Sequence, residues 1–182
     1  MHILQGEALD RRMDEVLDFV GAFFVNKSSV HLAAEDLARR LQESGIEYAI
    51  AGGLSLGVHG RGYVNLRAGG KPVRDTAHNV RIDFLIAGDF PGDGQPKPVA
   101  TPEPASASIV GEKYHVITLP VLLELKLASG MTAPHRMQDI TDVMRLIHTA
   151  KIPRTLADEL NPYVRPKFIE LWEIAQHQDD EY

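Results

Sequence analysis

The sequence predicts an α+β fold in which a small mixed β-sheet is packed by helices from both ends of the chain. Three observations predict it. Apolar residues recur at spacings of three and four through the first 45 residues, which is the period of a helix. Short apolar runs bounded by glycine and proline then follow as far as position 118, as is typical of strands. Helical periodicity returns after Pro120.

Composition and charge disfavour several classes of protein. The 182 residues are 44% hydrophobic and 24% charged, which is ordinary for a globular protein. With 19 Lys and Arg against 25 Asp and Glu, the net charge of -6 disfavours a broad nucleic-acid-binding surface. The lack of cysteine excludes disulfides, thiol catalysis and zinc–thiolate sites. The sequence shows neither a signal peptide nor a run of about 20 apolar residues, so we expect a cytoplasmic protein that does not enter the membrane.

Two helices are predicted before any strand. Glu7 to Val25 places its apolar residues on one face, and Val30 to Glu43 repeats the pattern before Gly45, a residue that favours a helix end. The segment "IEYAIAG" that follows is short and rich in strand formers, which predicts a buried strand. "LSLGVHG" then predicts a short helix.

The middle of the chain is predicted to supply the sheet. The expected strands are centred on positions 46–51, 62–67, 72–76, 80–87 and 108–118, the last of these as a strand pair around Gly111. Among them "VRIDFLIAG" is the most apolar, with Asp83 as its one acidic residue. Five of the eleven prolines fall between Gly88 and Pro104, which predicts an extended surface loop there.

Helices are predicted again in the last third. Pro120 suits the first turn of a helix that Gly130 would end as its C-cap. "APHRMQDITDVMRLIHTA" is amphipathic. Its inward-facing residues are predicted to be Met137, Ile140, Val143, Met144 and Ile147. Arg154 to Gln178 is expected to be helical, with interruptions at Pro162 and Pro166. The predicted organisation is therefore N-terminal helices (1–45), a core (46–150) and a C-terminal helical extension (151–182).

A phosphate site is predicted where the first strand ends. Gly52 and Gly53 lie at a predicted helix start, where free backbone N–H groups and the positive helix end point at an incoming anion. Glycine leaves no Cβ in the way, and the hydroxyl of Ser55 would add a donor. The alternative is a tight turn in which glycine serves close packing alone.

Two charged residues lie in apolar segments. An ionised Asp83 in an apolar strand is costly unless it meets a metal, a cation or several donors, although strand alternation leaves open that it faces water. Lys126 lies in "PVLLELKLA" and needs a phosphate or carboxylate partner unless it extends to solvent.

Further charges follow on the next predicted helix at i, i+3 spacing, on the face opposite the apolar stripe. They are Arg136, Asp139, Asp142 and Arg145. This spacing predicts a solvated ladder of salt bridges, with phosphate contacts as the alternative.

Together these segments resemble the nucleotidyltransferase-like superfamily, which has the DNA-polymerase-beta-type fold, and within it the minimal and abortive-infection-type nucleotidyltransferases. The resemblance runs from about Ile46 to Ile147 and rests on "AGGLSLGVHG", "VRIDFLIAGDFPGDGQPKPVA" and "LPVLLELKLASGMTAPHRMQDITDVMRLI". It implies that the Gly-Gly segment holds a nucleotide triphosphate such as ATP or GTP. The predicted nucleotide- or phosphate-binding residues are Gly52, Gly53, Ser55, His59, Lys126, Arg136 and Asp139.

The resemblance also implies a site for two Mg²⁺ ions. Active members hold them with an Asp-x-Asp strand just after the Gly-Gly segment and a third acidic residue on a neighbouring strand. Nucleotidyl transfer uses one metal to activate the attacking oxygen and one to neutralise the pyrophosphate. This sequence has no Asp-x-Asp or Asp-x-Glu between Gly53 and Asp83. Asp83 matches the third carboxylate and is the single predicted catalytic and Mg²⁺-binding residue of an incomplete site.

We therefore predict a catalytically degenerate nucleotidyltransferase-like protein that binds a nucleotide or another phosphate ligand. One alternative is an active enzyme that modifies a small molecule, RNA or protein, as the toxin of a toxin–antitoxin pair with an antitoxin-type protein partner. Another is a non-enzymatic interaction protein on the same fold, with Trp172 and the terminal helix meeting a partner. The missing segment would expose a strand edge, for which a second copy in a homodimer is the expected partner.

Overall fold

A computed structural model of the chain describes residues 6–23, 27–51, 71–75 and 80–177. Their fold is mixed α+β, as the sequence predicts, and it is mostly helical. The described residues group into two compact units that interleave along the chain. The first contains those between 6 and 85 and 103–118, and the second contains 86–102 and 119–177. The division into N-terminal helices (1–45), a core (46–150) and a C-terminal extension (151–182) stays a prediction.

The first unit begins with two helices, α1 (Glu7–Phe23) and α2 (Lys27–Glu43), which pack against each other. Both predicted helices are confirmed. Gly45 has a φ of 66° and Ile46 N–H donates to the Leu41 carbonyl, which is the left-handed ending that glycine permits after a helix. One core cluster of this unit joins both helices to later strands through Leu9, Met13, Ala38, Tyr114 and Val116.

The strands of the first unit form two separate antiparallel pairs. Strand β1 (Lys71–Asp75) pairs with β2 (Val80–Phe84), and β3 (Ser108–Val110) pairs with β4 (His115–Ile117). A short helix, α3 (Pro104–Ala107), leads directly into β3. The strand pair predicted around Gly111 is confirmed.

A single mixed sheet is not formed by the described residues. The strand predicted at 46–51 is present only as one parallel bridge between Ile50 and Val116. Ile50 exchanges backbone hydrogen bonds with His115 and Ile117 of β4, whereas Ile46 and Glu47 lie exposed. The strand predicted at 80–87 ends at Phe84. Residues 62–67 and the helix predicted in "LSLGVHG" lie outside the described residues.

The turn between β3 and β4 is held by a carboxylate of α1. Asp10 is only 6% exposed, and its oxygens accept the backbone N–H groups of Glu112, Lys113 and Tyr114 at 2.8, 3.1 and 3.2 Å. A Cβ at Gly111 would lie 2.6 Å from Asp10 Oδ1, so this close approach needs glycine. The buried charge is therefore stabilised by three donors from one turn.

Replacing Asp10 with asparagine is expected to lower the free energy of unfolding by about 2 kcal/mol, since a neutral amide accepts these hydrogen bonds more weakly and places N–H groups against N–H groups. Urea denaturation followed by circular dichroism measures the loss. Glu15→Gln is the matched control on the same helix, because Glu15 is exposed and pairs with Arg12 at the surface. Equal stability of the two variants would contradict the assigned role of Asp10.

The second unit begins with the proline-rich loop, residues 86–102, which contains no helix or strand. The loop predicted from Gly88 to Pro104 is thus confirmed as far as Pro102, whereas Pro104 begins α3, because proline suits the first turn of a helix. Two backbone hydrogen bonds close its ends, from Gly88 N–H to the Thr101 carbonyl and from Thr101 N–H to the Asp89 carbonyl. Inside the loop the ammonium of Lys97 donates to the Pro91 carbonyl and to Asp93. The hydrogen bond from Lys97 to Asp93 lowers the pKa of the Asp93 carboxyl. Lys97 therefore neutralises Asp93, one of the two carboxylates of the loop.

Three helices complete the second unit: α4 (Leu119–Thr132), α5 (Met137–Thr149) and α6 (Arg165–His177). Short 3₁₀ segments, Pro134–Arg136 and Arg154–Glu159, precede α5 and α6. Pro120 lies in the first turn of α4, as predicted. No described helix has both the length and the apolar character needed to cross a bilayer.

Three predicted details of these helices are wrong. Gly130 does not end α4, which continues to Thr132, because Gly130 provides room for Ile140 of α5 rather than a left-handed cap. Met137 is 60% exposed, since it begins α5 at the corner where the chain turns. Pro166 does not interrupt α6, because it lies in the first turn, where proline has no hydrogen bond to lose.

Candidate functional site

The predicted site residues fall into three groups in the structure. Lys126, Arg136 and Asp139 lie together in the second unit. Asp83 lies on β2 in the first unit. Gly52, Gly53, Ser55 and His59 lie outside the described residues, so the predicted phosphate-binding turn stays a prediction.

Asp83 lies in a half-buried position of a strand whose apolar end is open to solvent. Its backbone pairs with Pro72 of β1. The residues after it, Phe84, Leu85 and Ile86, are 39%, 51% and 44% exposed. The apolar residues after Asp83 are therefore exposed and Asp83 itself is half-buried, so its charge costs less than it would in a fully buried strand.

A second carboxylate beside Asp83 is not provided by the register of this strand pair. Asp75 pairs with Val80, three positions before Asp83. Positions that differ by an odd number along a strand do not share a face, so 75 and 83 are out of phase. Nowhere in the described ranges do three or more His, Asp or Glu side chains come together in a way that could hold a metal ion.

Lys126 lies on α4, a helix that is apolar on nearly every face and accordingly buried from Leu122 to Gly130 with only Glu124 half-exposed. The lysine itself is 9% exposed. Its ammonium donates to Asp139 Oδ1 at 3.0 Å and to Asp142 Oδ2 at 2.8 Å, both on α5. The predicted carboxylate partner is thus present twice, and the side chain does not extend to solvent.

These contacts correct the predicted ladder of solvated salt bridges. Asp142 is 5% exposed and points at Lys126, whereas Arg145 is exposed. Of the four charges, Arg136 and Asp139 do form an i, i+3 pair, with Nε 3.6 Å from Oδ2. The ladder does not form as predicted because both aspartates pair with the buried Lys126 of α4. The spacing of charges along a single helix does not reveal such a partner on another helix.

The remaining hydrogen bonds of the two aspartates come from neighbouring polar side chains. Ser129 Oγ donates to Asp139 Oδ2 at 2.6 Å, and Gln138 Nε2 donates to Asp142 Oδ1 at 2.9 Å. We call this group the Lys126 cluster. Its members are Lys126, Ser129, Arg136, Gln138, Asp139 and Asp142. The two cations and two carboxylates of the cluster balance in charge.

The cluster is positioned by close contacts on both sides of α4. A Cβ at Gly130 would lie 2.5 Å from Ile140 Cγ1, so the glycine lets α4 and α5 approach closely. On the loop, Gly92 has a φ of 80°, and a Cβ there would lie 2.8 Å from the Ser129 carbonyl oxygen. The proline-rich loop and α5 therefore both rest on the turn of α4 that carries Ser129.

A second concentration of charge lies in the first unit, where a surface depression of about 380 Å³ opens beside the β3–β4 turn. It is lined by Glu7, Asp10, Arg11, Asp14, Glu15, Glu112 and Lys113. The hydrogen bond from Lys113 to Asp14 raises the pKa of that lysine. With five carboxylates against two cations, this depression disfavours a phosphate ligand.

Two tyrosines lie near the depression, Tyr114 fully buried and Tyr48 half-buried. Tyr114 is fully buried with its hydroxyl 3.4 Å from Asp14 Oδ1. Burial, with the negative charges of Glu35 and Asp14, raises the pKa of Tyr114 far above its usual range. Burial likewise raises the pKa of Tyr48, whose ring stacks on His115 at 4.9 Å between centroids. Neither phenol is poised to lose its proton, so both serve packing.

Comparison with known proteins leaves the function to be argued from these contacts. No family model matches the chain, and no curated protein or solved structure is significantly similar to it. The Lys126 cluster is the place where predicted site residues meet in the described part of the chain, and it is therefore the candidate site.

Ser129 and Gln138 were not among the predicted site residues. A signal for Ser129 exists, because it follows Lys126 by three positions and so shares its helix face. Asp142 was placed in a solvated ladder, yet it is adjacent to the apolar residue Val143 and one turn beyond Asp139. Asp142 lies at the border of the apolar stripe of α5, and α4 carries a buried lysine. This combination is the sequence pattern that indicates Lys126 as the partner of Asp142.

Proposed function

We propose that the chain is a nucleotidyltransferase-like protein that binds a nucleotide or another phosphate ligand and lacks the paired carboxylates of a two-metal reaction. The observation that supports phosphate binding most directly is that Lys126 and Arg136 approach the same carboxylate, that of Asp139. Lys126 and Arg136 are the two cationic residues of the second unit that the sequence predicts to bind phosphate. The role of the chain would then be binding or regulation rather than nucleotidyl transfer.

The chemistry of the cluster suits a phosphate group. An ammonium, a guanidinium and a hydroxyl are the donors that phosphate oxygens accept, and charge-assisted hydrogen bonds of this kind are shorter and stronger than neutral ones. Lys126, Arg136 and Ser129 supply one of each around the position now taken by Asp139. The predicted Gly52–Gly53 turn would add backbone donors of the same kind.

The described residues do not fit a two-metal centre. Two ions at the separation that nucleotidyl transfer uses need bridging carboxylates. The sequence has no Asp-x-Asp or Asp-x-Glu between Gly53 and Asp83, and the register keeps Asp75 out of phase with Asp83. We therefore assign no catalytic step to Mg²⁺, and Asp83 is retained as a proposed ligand for a single ion at most.

Titration calorimetry with ATP and with GTP, each with and without Mg²⁺, tests this proposal. We expect saturable but weak binding that does not require Mg²⁺, and about tenfold weaker binding in Arg136→Gln, which removes one charge-assisted contact. Arg145→Gln is the matched control, because Arg145 lies exposed on α5, the helix that begins directly after Arg136. Absence of saturable binding at millimolar nucleotide, or equal losses in both variants, would exclude the proposed function.

A further inference from the structure

The carboxylate of Asp139 lies where three donors of the Lys126 cluster converge. The ammonium of Lys126 is 3.0 Å from its Oδ1, and the hydroxyl of Ser129 is 2.6 Å from its Oδ2. The guanidinium Nε of Arg136 is 3.6 Å from the same Oδ2. Two positive groups and a hydroxyl from two helices thus surround one anion, which is the arrangement of an anion-binding site.

The two aspartates of the cluster are not equivalent. Asp142 is the deeper one, with a side chain 5% exposed and its second oxygen bound by Gln138. The side chains of Asp139 and Arg136 are 17% and 20% exposed. Asp139 is therefore on the outer side of the cluster, where a ligand would arrive first.

We infer that Asp139 is an internal competitor for the phosphate ligand. Its carboxylate occupies the anion position between Lys126, Arg136 and Ser129, so a phosphoryl group binds there only when Asp139 leaves. The inference rests on the proposed function and adds an autoinhibitory contact to the same site. Competition by Asp139 is the reason for expecting the wild-type chain to bind a phosphate ligand only weakly.

The charge balance of the cluster supports this competition. Lys126 and Arg136 together carry two positive charges, and Asp139 and Asp142 carry two negative charges, so the cluster with Asp139 in place has no net attraction for an anion. Neutralising Asp139 leaves one uncompensated positive charge beside a vacated anion position. Neutralising Asp142 leaves the same net charge but keeps Asp139 among its three donors.

Titration calorimetry with inorganic pyrophosphate, at constant ionic strength, tests the inference. Asp139→Asn and Asp139→Ser are expected to bind pyrophosphate about tenfold or more tightly than the wild-type chain, because one strong competing contact is removed. Asp142→Asn, the matched control for charge, is expected to gain much less. Adding Arg136→Gln to Asp139→Asn should abolish the gain.

The outcomes separate this inference from the proposed function. If the wild-type chain binds nucleotide but neither Asp139 variant gains affinity for pyrophosphate, Asp139 is not a competitor and nucleotide binding stands. A gain in the Asp139 variants together with no nucleotide binding by the wild-type chain supports the competitor and overturns the nucleotide. Equal gains in Asp139→Asn and Asp142→Asn show a general charge effect and overturn the inference. Asp139→Ser decides the matter if Asp139→Asn does not fold, because the smaller hydroxyl side chain retains a polar group for Ser129.

Discussion

Replacing Lys126 with methionine is expected to lower the free energy of unfolding by about 3–5 kcal/mol, the cost of leaving a buried carboxylate without its counter-charge. Methionine has a similar length and favours helices, so α4 itself is not the source of the loss. What is lost is the only cation that contacts Asp142 within the Lys126 cluster, at 2.8 Å. Urea denaturation, with the midpoint and slope compared between variants, measures the effect.

A surface lysine provides the control for this substitution. Lys167 pairs with Glu170 on α6, where both side chains remain partly exposed. Lys167→Met should cost about 1 kcal/mol or less, as exposed ion pairs do. If Lys126→Met were no more damaging than Lys167→Met, the Lys126 cluster would not be a buried ion-pair network. Adding Asp139→Asn and Asp142→Asn to Lys126→Met should restore part of the stability, because the uncompensated charges are then removed as well.

Replacing Gly111 with alanine is expected to cost about 3 kcal/mol, through overpacking and the loss of hydrogen bonds to Asp10. The added Cβ would lie 2.6 Å from Asp10 Oδ1 and 2.8 Å from the Tyr114 carbonyl oxygen. Neither atom moves freely, because Asp10 holds three backbone N–H groups and the Tyr114 carbonyl accepts the Gly111 N–H at 2.9 Å. Thermal unfolding followed by circular dichroism reports the loss.

Gly94→Ala separates the effect of crowding from the general effect of replacing glycine. Gly94 lies in the proline-rich loop with a φ of 73° and no atom within 4 Å of an added Cβ. Its substitution should cost only about 1 kcal/mol, for the left-handed backbone alone. The crowding explanation fails if Gly111→Ala costs no more stability than Gly94→Ala. It also fails if adding Asp10→Ala to Gly111→Ala, which removes the crowded carboxylate, restores none of the lost stability.

The sequence predicts most reliably the elements whose cause is local. Helices α1 and α2 carry long periodic apolar faces, and the prolines of residues 86–102 exclude regular structure by themselves. The turn at Gly111 is likewise a local signal, and the strands on both sides of it form as predicted. In these segments the neighbours along the chain decide the conformation.

The features that sequence patterns miss depend on neighbours from elsewhere in the fold. Asp139 and Asp142 face Lys126 because α5 packs on α4, and no spacing within α5 contains that fact. Gly130 resembles a helix end in the sequence, yet it is a packing position against Ile140. The segment before Gly52 has strand formers, but only Ile50 finds a partner. The sequence singles out Lys126 as a charged residue in an apolar helix but not its ion pairs with both Asp139 and Asp142, because those pairs join two helices.

The hydrogen bonds from the β3–β4 turn to Asp10 have a consequence for how the chain matures. They join residues that are 102 to 104 positions apart. A ribosome therefore has to release residue 114 before Asp10 of α1 meets its three N–H donors, and until then the buried faces of Leu9 and Met13 have no Tyr114 or Val116 to cover them. Exchange of the amide protons of Glu112, Lys113 and Tyr114 with solvent then reports when the first helix of the chain has docked, rather than when the hairpin that carries those amides has formed.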